Sequence, residues 1–502
     1  MINKVGRFIP DGYKPFRGSK AYVNDEYNLL SEIISTNTNK LVGSISEVFD
    51  LLKISDGMCL SFHHHLRNGD LVFNLVLEEI KKRNLKNMTL APSAIFPVND
   101  ILSELIENGN VTNIYTNYLN GKVADMIAQG KLQGLLIMDT HGGRARAIMT
   151  GELKIDVCFA AASAADKDGN ANGVEGINNC GPLGYIIPDC KYARHKVVIT
   201  DCLLDNLCFH EIEGKYIDYV VTIDNIGDSQ KIVSGTTEIT KNPIGLKIAK
   251  LAADLLDELG YIKDGFGMQT GAGGTSLAVA AEVKKIMKEK NIRAGFASGG
   301  ITGYYVEMLE ENMIDALYDV QSFDLEAVNS YKVNKNHHGM SSSKYANPFD
   351  PEVVVNNLDF VILGATEIDL DFNVNVTTTS LGNIIGGSGG HADAAHGAKI
   401  TIITTNLIKS RLPVVKRKVQ TITTPGEDVD VLVTEFGIAI NPKRKDLLEK
   451  LENSQLPIMD IKSLLDIAHK ITGEPKEIER KTKIVGLVRY RDGTIIDTLY
   501  GY

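Results

Sequence analysis

The chain has 502 residues, 43% of them hydrophobic and 23% charged, with a formal net charge of -10. That length fits two or three domains that bury large cores without staples, and the acidic balance disfavours general nucleic-acid or anionic-membrane binding while allowing a local basic pocket. Six cysteines (Cys59, Cys158, Cys180, Cys190, Cys202, Cys208) with no close CxxC pair point to buried thiols in a reducing cytosol rather than to disulfides or a metal site, and neither a signal peptide nor an apolar run of about 20 residues is present.

Residues 1–40 read as an irregular arm. Arg7, Lys14, Arg17 and Lys20 are interspersed with Gly, Pro and Tyr, which suits a segment lying along another surface or a plain extension. Strand–helix alternation follows. Short apolar runs at Met58–Phe62, Met88–Leu90, Gly134–Met138, Val157–Ala160 and Lys196–Thr200 alternate with helical patterns such as Leu71–Lys82, which predicts layered α/β domains. The halves then match at one offset of 203 residues: Glu79-Ile80-Lys81-Lys82 returns as Glu282-Val283-Lys284-Lys285, and Asp156, Asp166, Asp168, Asn170 and Asn172 return as Asp359, Asp369, Asp371, Asn373 and Asn375. The expectation is a duplicated pair of open-sheet α/β domains, 41–235 and 236–502, with a ligand crevice between them.

Four segments carry candidate chemistry. His63-His64-His65-Leu66-Arg67 follows a strand. Three adjacent imidazoles cannot all face one point, so His64 or His65 with Arg67 is expected to meet a carboxylate-rich substrate. His141-Gly142-Gly143-Arg144-Ala145-Arg146 puts two cations at a turn, a polyanion candidate. Gly265-Phe266-Gly267 through Gly271, Gly273 and Gly274 feeds a helix N-terminus, a natural cradle for phosphate, pantetheine or carboxylate, without Walker or dinucleotide spacing. Ala297-Ser298-Gly299-Gly300 allows close approach of a ligand, with Glu307 the nearest carboxylate for acid–base work. Finally, Gly386-Gly387-Ser388-Gly389-Gly390-His391-Ala392-Asp393 exposes backbone N–H groups able to hold an oxyanion or a thioester carbonyl.

Nearly the whole chain resembles the citrate lyase alpha subunit family, within the broad CoA-transferase group. The resemblance is carried by the paired halves, by Gly265-Phe266-Gly267, the Ser298 turn and Gly387 through Asp393 in that order, and by the stretch Thr424 to Ala439. It implies exchange of acetyl, held as a thioester on an acyl-carrier (gamma) subunit or on CoA, for citrate. Acetate would leave, citryl thioester would form, and a beta subunit would then cleave it. The carrier would bear a phosphoribosyl-dephospho-CoA group, no cofactor would be tightly bound on this chain, and an isolated chain would form a homo-oligomer.

Covalent members of the wider group use a glutamate in a Ser-Glu-Asn-Gly-type turn. Here Ser298 falls on that position, with Glu307 the alternative in another register. The expectation is direct exchange through a mixed anhydride. Gly389 and Gly390 would hold the oxyanion, Gly265, Gly267, Gly271, Gly273, Gly274, Gly387, Ser388 and Asp393 would hold the thioester arm, and Arg67, Arg144 and Arg146 would meet citrate. An acyl-CoA hydrolase, a related dicarboxylate/acetate CoA-transferase, a carrier-binding scaffold and a metabolite-binding regulator are the competing readings.

Overall fold

The computed structural model describes residues 1–22, 27–233, 238–271, 273–476 and 482–501. Residues 235 and 236, where the sequence divides the halves, lie outside the described residues. On either side of them the same topology is built twice over seven strands, with edge strands of different origin. In the first half, strands run in the order Leu41–Val42, Tyr219–Thr222, His195–Thr200, Val157–Ala162, Cys59–Phe62, Met88–Pro92, Val111–Thr116, Leu136–Met138. In the second half the order is Gly437–Ile440, Val431–Thr434, Ile400–Thr404, Phe360–Leu363, Gly267–Thr270, Ala294–Ile301, Ile314–Ser322, His337–Gly339. All these neighbours pair in parallel except the Val431–Thr434 and Gly437–Ile440 hairpin. Strands buried on both faces explain the near-continuous apolar runs in the sequence.

The repeated acidic residues perform the same task in both halves. Asp156 accepts the Cys59 N–H at 2.9 Å, as Asp359 accepts that of Gly267 at 2.9 Å. Asp166 takes the N–H groups of Asp168 and Asn170, as Asp369 takes those of Asp371 and Asn373. Asn170 then accepts from Gly214 and Asn373 from Gly426. Side chains that hold backbone turns cannot drift without leaving a buried donor unpaired, so these positions preserve the register of the repeat.

The second half does not extend to the C-terminus, contrary to the 236–502 expectation. The hairpin Ile484–Arg489/Ile495–Tyr500 adds to the first sheet, with Leu487 beside Ile137 in parallel register. Its pattern reads as a strand from sequence, but nothing local says which sheet edge it joins. The N-terminal arm lies along this same chain. Asn3 donates to the carbonyls of Ile495 and Ile496, Arg7 pairs with Asp497, and Phe16 packs edge-on to Tyr490. Farther along, Leu30, Ile33 and Ser35 donate to the carbonyls of Met149, Lys191 and Lys215. Arg7 also donates to the Val419 carbonyl and Ser19 to Glu427, and Asp497 accepts the Ile422 N–H, so arm and hairpin strap both halves together. The cysteines are all free; Cys59, Cys158, Cys180 and Cys190 are buried, but Cys208 is exposed and Cys202 half-buried. Among the described residues no helix is long and apolar enough to cross a membrane.

Candidate active site

The glycine loop of the second half is held in place by the first half. The Gly389 carbonyl accepts the His141 N–H at 2.9 Å, and the Gly389 N–H donates to the Asn117 carbonyl at 3.2 Å. Gly386 accepts from Leu119. Asp393, at the start of the short helix His391–Gly397, accepts from the Thr140 hydroxyl (2.9 Å), the Gly142 N–H (2.8 Å) and the Arg491 guanidinium (3.0 Å). A fully buried carboxylate with three donors is a fastener between halves. Asp393 therefore does not bind the thioester arm, as the sequence suggested; it fixes the loop from behind.

With the loop pinned, the N–H groups of Gly387, Ser388 and Gly390 have no protein acceptor among the described residues. They border a cavity of about 560 Å³. Its other walls come from the carboxyl ends of neighbouring strands, at Gln269, Thr270, Gly271 and Gly273, at Gly299 and Gly300, and at Leu363 to Thr366. That is where open parallel sheets leave room for ligands. The first half closes it with Tyr118, His141 and Tyr185.

Close approach explains the glycines. A Cβ on Gly390 would stand 2.6 Å from the Tyr345 hydroxyl, and one on Gly299 (φ +104°) 2.8 Å from the Gln269 side chain. Gln269 and Tyr345 are themselves hydrogen-bonded at 2.8 Å, so this wall is preorganised. Gly389 serves by conformation (φ +50°) and by clearing His141 Nε2, 3.3 Å from where its Cβ would be. Its N–H is already taken by Asn117, so the oxyanion role expected of it passes to its neighbours.

Behind Tyr185 lies a stack of imidazoles. The Tyr185 ring is 4.3 Å from that of His141, 4.9 Å from His64 and 5.9 Å from His65. Burial pushes His63 and His141 down to about 3 and lowers His64 and His65 well below the usual range, so all four are neutral near pH 7. His64 meets Ser93 at 2.5 Å. Both ring nitrogens of His65, Nε2 of His63, Nδ1 of His141 and Nη1 of Arg67 are buried without a protein partner. Unmet polar groups are uncommon inside proteins; of these residues His141 lines the cavity itself, and the others lie behind it. Arg67 adopts the left-handed region (φ 51°) and lies 4.9 Å from the centroid of the cavity-lining Phe323 ring. Such strain in a non-glycine residue gathers at functional sites.

Several other expected site residues lie elsewhere. Arg144 is held inside the first half, bidentate on Asp189 at 2.8 and 2.7 Å and donating to the Ala91 carbonyl, with only its Nε left unmet. Arg146 pairs with Glu152 at 2.6 Å. Both point into the core because the residues after His141 form a buried helix, His141–Met149, rather than a solvated turn. Glu307 is a surface residue paired with Lys284 at 2.6 Å. Ser298 is buried within its strand, outside the cavity lining, its hydroxyl without a partner. Gly265 and Gly267 occupy the opposite, amino end of the strand, donating to the Arg293 carbonyl and to Asp359. Gly274 starts the helix Gly274–Lys290 beside Thr240 and does not line the cavity. Sequence reasoning missed Tyr118, Tyr185, Gln269, Tyr345 and Lys409. One signal was available: at the repeat's offset of 203, Tyr185 stands where Ser388 does.

Fold and site together define a duplicated α/β protein with an oxyanion cradle at the seam of its halves, an architecture suited to acyl transfer. Residues 38–501 match the family model described as "Citrate lyase, alpha subunit (CitF)". The chain is 44% identical to the citrate lyase alpha chain of Haemophilus influenzae over 92% of each chain. It is 40% identical to that of Klebsiella pneumoniae, over 98% of this chain and 96% of the relative. A Streptococcus mutans crystal structure, described as the putative alfa subunit of citrate lyase in complex with citrate, superposes with a TM-score of 0.96 at 42% identity over 99% of each chain. A Pseudomonas malonate decarboxylase hetero-tetramer structure shares the fold alone, with a TM-score of 0.64 and 13% identity over 82% of each chain. The chain belongs to the citrate lyase alpha subunit family.

Proposed function

We propose that this chain catalyses acyl exchange within citrate lyase: citrate takes the place of acetate on an acetyl thioester, giving citryl thioester and free acetate. One observation carries the route. Among the described residues no aspartate, glutamate or cysteine lines the cavity, so no carboxylate or thiol is placed there to form an acyl-enzyme. His391, the imidazole nearest Ser388 in sequence, is committed to Thr424 and to the Gly364 carbonyl, which leaves that serine without a base from this source.

A citrate carboxylate oxygen attacks the acetyl carbonyl. The tetrahedral oxyanion is held by the free N–H groups of Gly390 and Gly387 or Ser388, donors that are fixed before the reaction and cost no reorganisation during it. The C–S bond breaks and the thiolate leaves, forming a mixed acetic–citric anhydride. The thiolate then attacks the citryl carbonyl and acetate departs. The protein supplies proximity and dipoles. Arg67, with His64 and His65, is the source of donors for the non-reacting carboxylates, since buried carboxylates need such partners.

In this reading the thioester is a substrate, carried on CoA or on the phosphoribosyl-dephospho-CoA group of a gamma subunit, and a beta subunit cleaves the citryl product. The isolated chain self-associates. Rapid-quench experiments with labelled acetyl thioester test the route. Label should remain off the protein at all times, and acetate release should require citrate. A kinetically competent acyl-protein adduct would overturn direct exchange, and acetate release without citrate would favour a hydrolase.

A further inference from the structure

A basic hairpin stands at the mouth of the cavity. Strands Ile408–Lys409 and Leu412–Pro413 pair antiparallel around the two-residue turn Ser410-Arg411. Both turn residues are left-handed, with φ of 48° and 64°. Such turns are normally made with Asn-Gly or Gly-Gly, because a Cβ is disfavoured there. Here the strained position presents an arginine to solvent. Lys409 lines the cavity mouth, and its ammonium donates to the carbonyl of Ala365, another lining residue.

Of the cations that follow this pair, Lys416 and Arg417 meet Glu367 and Glu474, whereas Lys418 has no ion pair among the described residues. Lys409 and Arg411 have no carboxylate partner among the described residues, in a chain whose net charge is -10. The same mouth also offers apolar surface: Ile385 lines it while 41% exposed, and nearby in sequence Leu381 is 61% exposed. Apolar contact followed by a pair of free cations matches a long thioester arm that ends in phosphates.

We propose that the hairpin Ile408–Pro413 is a phosphate-reading arm in which Arg411 and Lys409 bind the diphosphate portion of the thioester substrate while its acyl end occupies the cavity. The inference rests on the acyl-exchange reading above. Guanidinium and ammonium groups suit this task because charge-assisted bonds to phosphate oxygens are strong; the guanidinium stays charged, while burial lowers the Lys409 ammonium from its usual value. Free CoA and a carrier-borne nucleotide group share this diphosphate, and the assay separates them.

The experiment compares the wild type with Arg411→Ala and Lys409→Ala/Arg411→Ala on three acetyl donors: acetyl-CoA, an acetylated carrier subunit bearing its nucleotide prosthetic group, and acetyl-pantetheine, which has no phosphate. The expected result is that Arg411→Ala raises KM about tenfold for acetyl-CoA, for the acetylated carrier or for both and leaves KM for acetyl-pantetheine and for citrate unchanged, and that adding Lys409→Ala raises KM further for the phosphate-bearing donors. The donor that is affected identifies the source of the diphosphate. Equal effects on all three donors, or none on any, overturn the proposal. Equal melting curves exclude a folding defect, and the exposed turn gives none to expect. If the wild type itself shows no citrate-dependent acetate release from any donor, the acyl-exchange reading falls; if it does and the variants match it, only the hairpin's role falls.

Discussion

The two halves share strand order and the same aspartate-held turns, yet they treat the carboxyl edges of their sheets in opposite ways. Where the second half continues its strand Gly267–Thr270 with Gly271 and Gly273, the first continues Cys59–Phe62 with three imidazoles and Arg67. Where the second half offers Gly387 and Ser388, the first has Gly184 and Tyr185. One edge is stripped of side chains and exposes backbone dipoles; the other is filled with rings and a cation. Duplication thus supplied a frame whose framework residues were kept in both copies, while the loops divided the labour. Free main-chain donors lie on one side, and buried imidazoles with Arg67 on the other.

Substitutions sharpen that division, and the largest effect belongs on the glycine side. Gly390→Val would drive a side chain into the Tyr345 hydroxyl and crowd an oxyanion donor. Exchange should fall by about a hundredfold or more, measured as citrate-dependent acetate release with the fold checked by circular dichroism. Unchanged turnover would remove the cradle from that edge. Asp393→Asn attacks the fastener. It leaves the Arg491 guanidinium buried without its counter-charge, and should weaken the protein by about 3 kcal/mol, read as a lower urea midpoint. On the recognition side, Arg67→Gln should raise KM for citrate about tenfold with a smaller change in kcat; a pure kcat effect would contradict a carboxylate contact.

Acid tests the imidazole wall. Burial holds His63 at about 3, far below its unfolded value of about 6.5. Between those values the unfolded chain binds a proton that the native one does not, so the stability contributed is whole above pH 6.5 and is lost as pH falls towards 3. His63→Asn should flatten the dependence of the melting temperature on pH between 6.5 and 4. Asp70, which burial pushes up to about 7, leans the other way, but it is common to both proteins and drops out of the difference. An unchanged slope would mean His63 is not buried neutral. The smallest effect is expected at Glu307→Gln, which removes an exposed carboxylate from Lys284 while Glu311 still pairs with it. Activity should be normal and stability within about 0.5 kcal/mol; a large loss of turnover would restore Glu307 as a catalytic candidate.

Much of this was legible in the chain. The fixed offset between Asp156, Asp166 and Asn170 and their later counterparts announced the duplication, because turn-holding side chains keep their spacing. The Gly386–Gly390 run announced the cradle, because only glycines let backbone donors approach a ligand so closely. Spacing could not say which arginine would lie near the cavity, beside its lining Phe323. Arg144 and Arg146 look as promising as Arg67, and the distinction comes from Asp189 and Glu152, which meet them only after folding. Nor could sequence show that Gly265 and Gly267 sit at the wrong end of their strand. A strand's direction relative to the crevice is a property of the whole sheet.

The amino-acid sequence by itself determined the repeated α/β frame and the small-residue loops, since both follow from local periodicity and backbone sterics. The tertiary structure alone decided which N–H groups stay free, where the C-terminal hairpin docks and which buried imidazoles face Tyr185. Those outcomes depend on partners hundreds of residues apart, such as Gly389 with Asn117 and Asp393 with Thr140, and a hydrogen bond is committed only when the chain closes on itself.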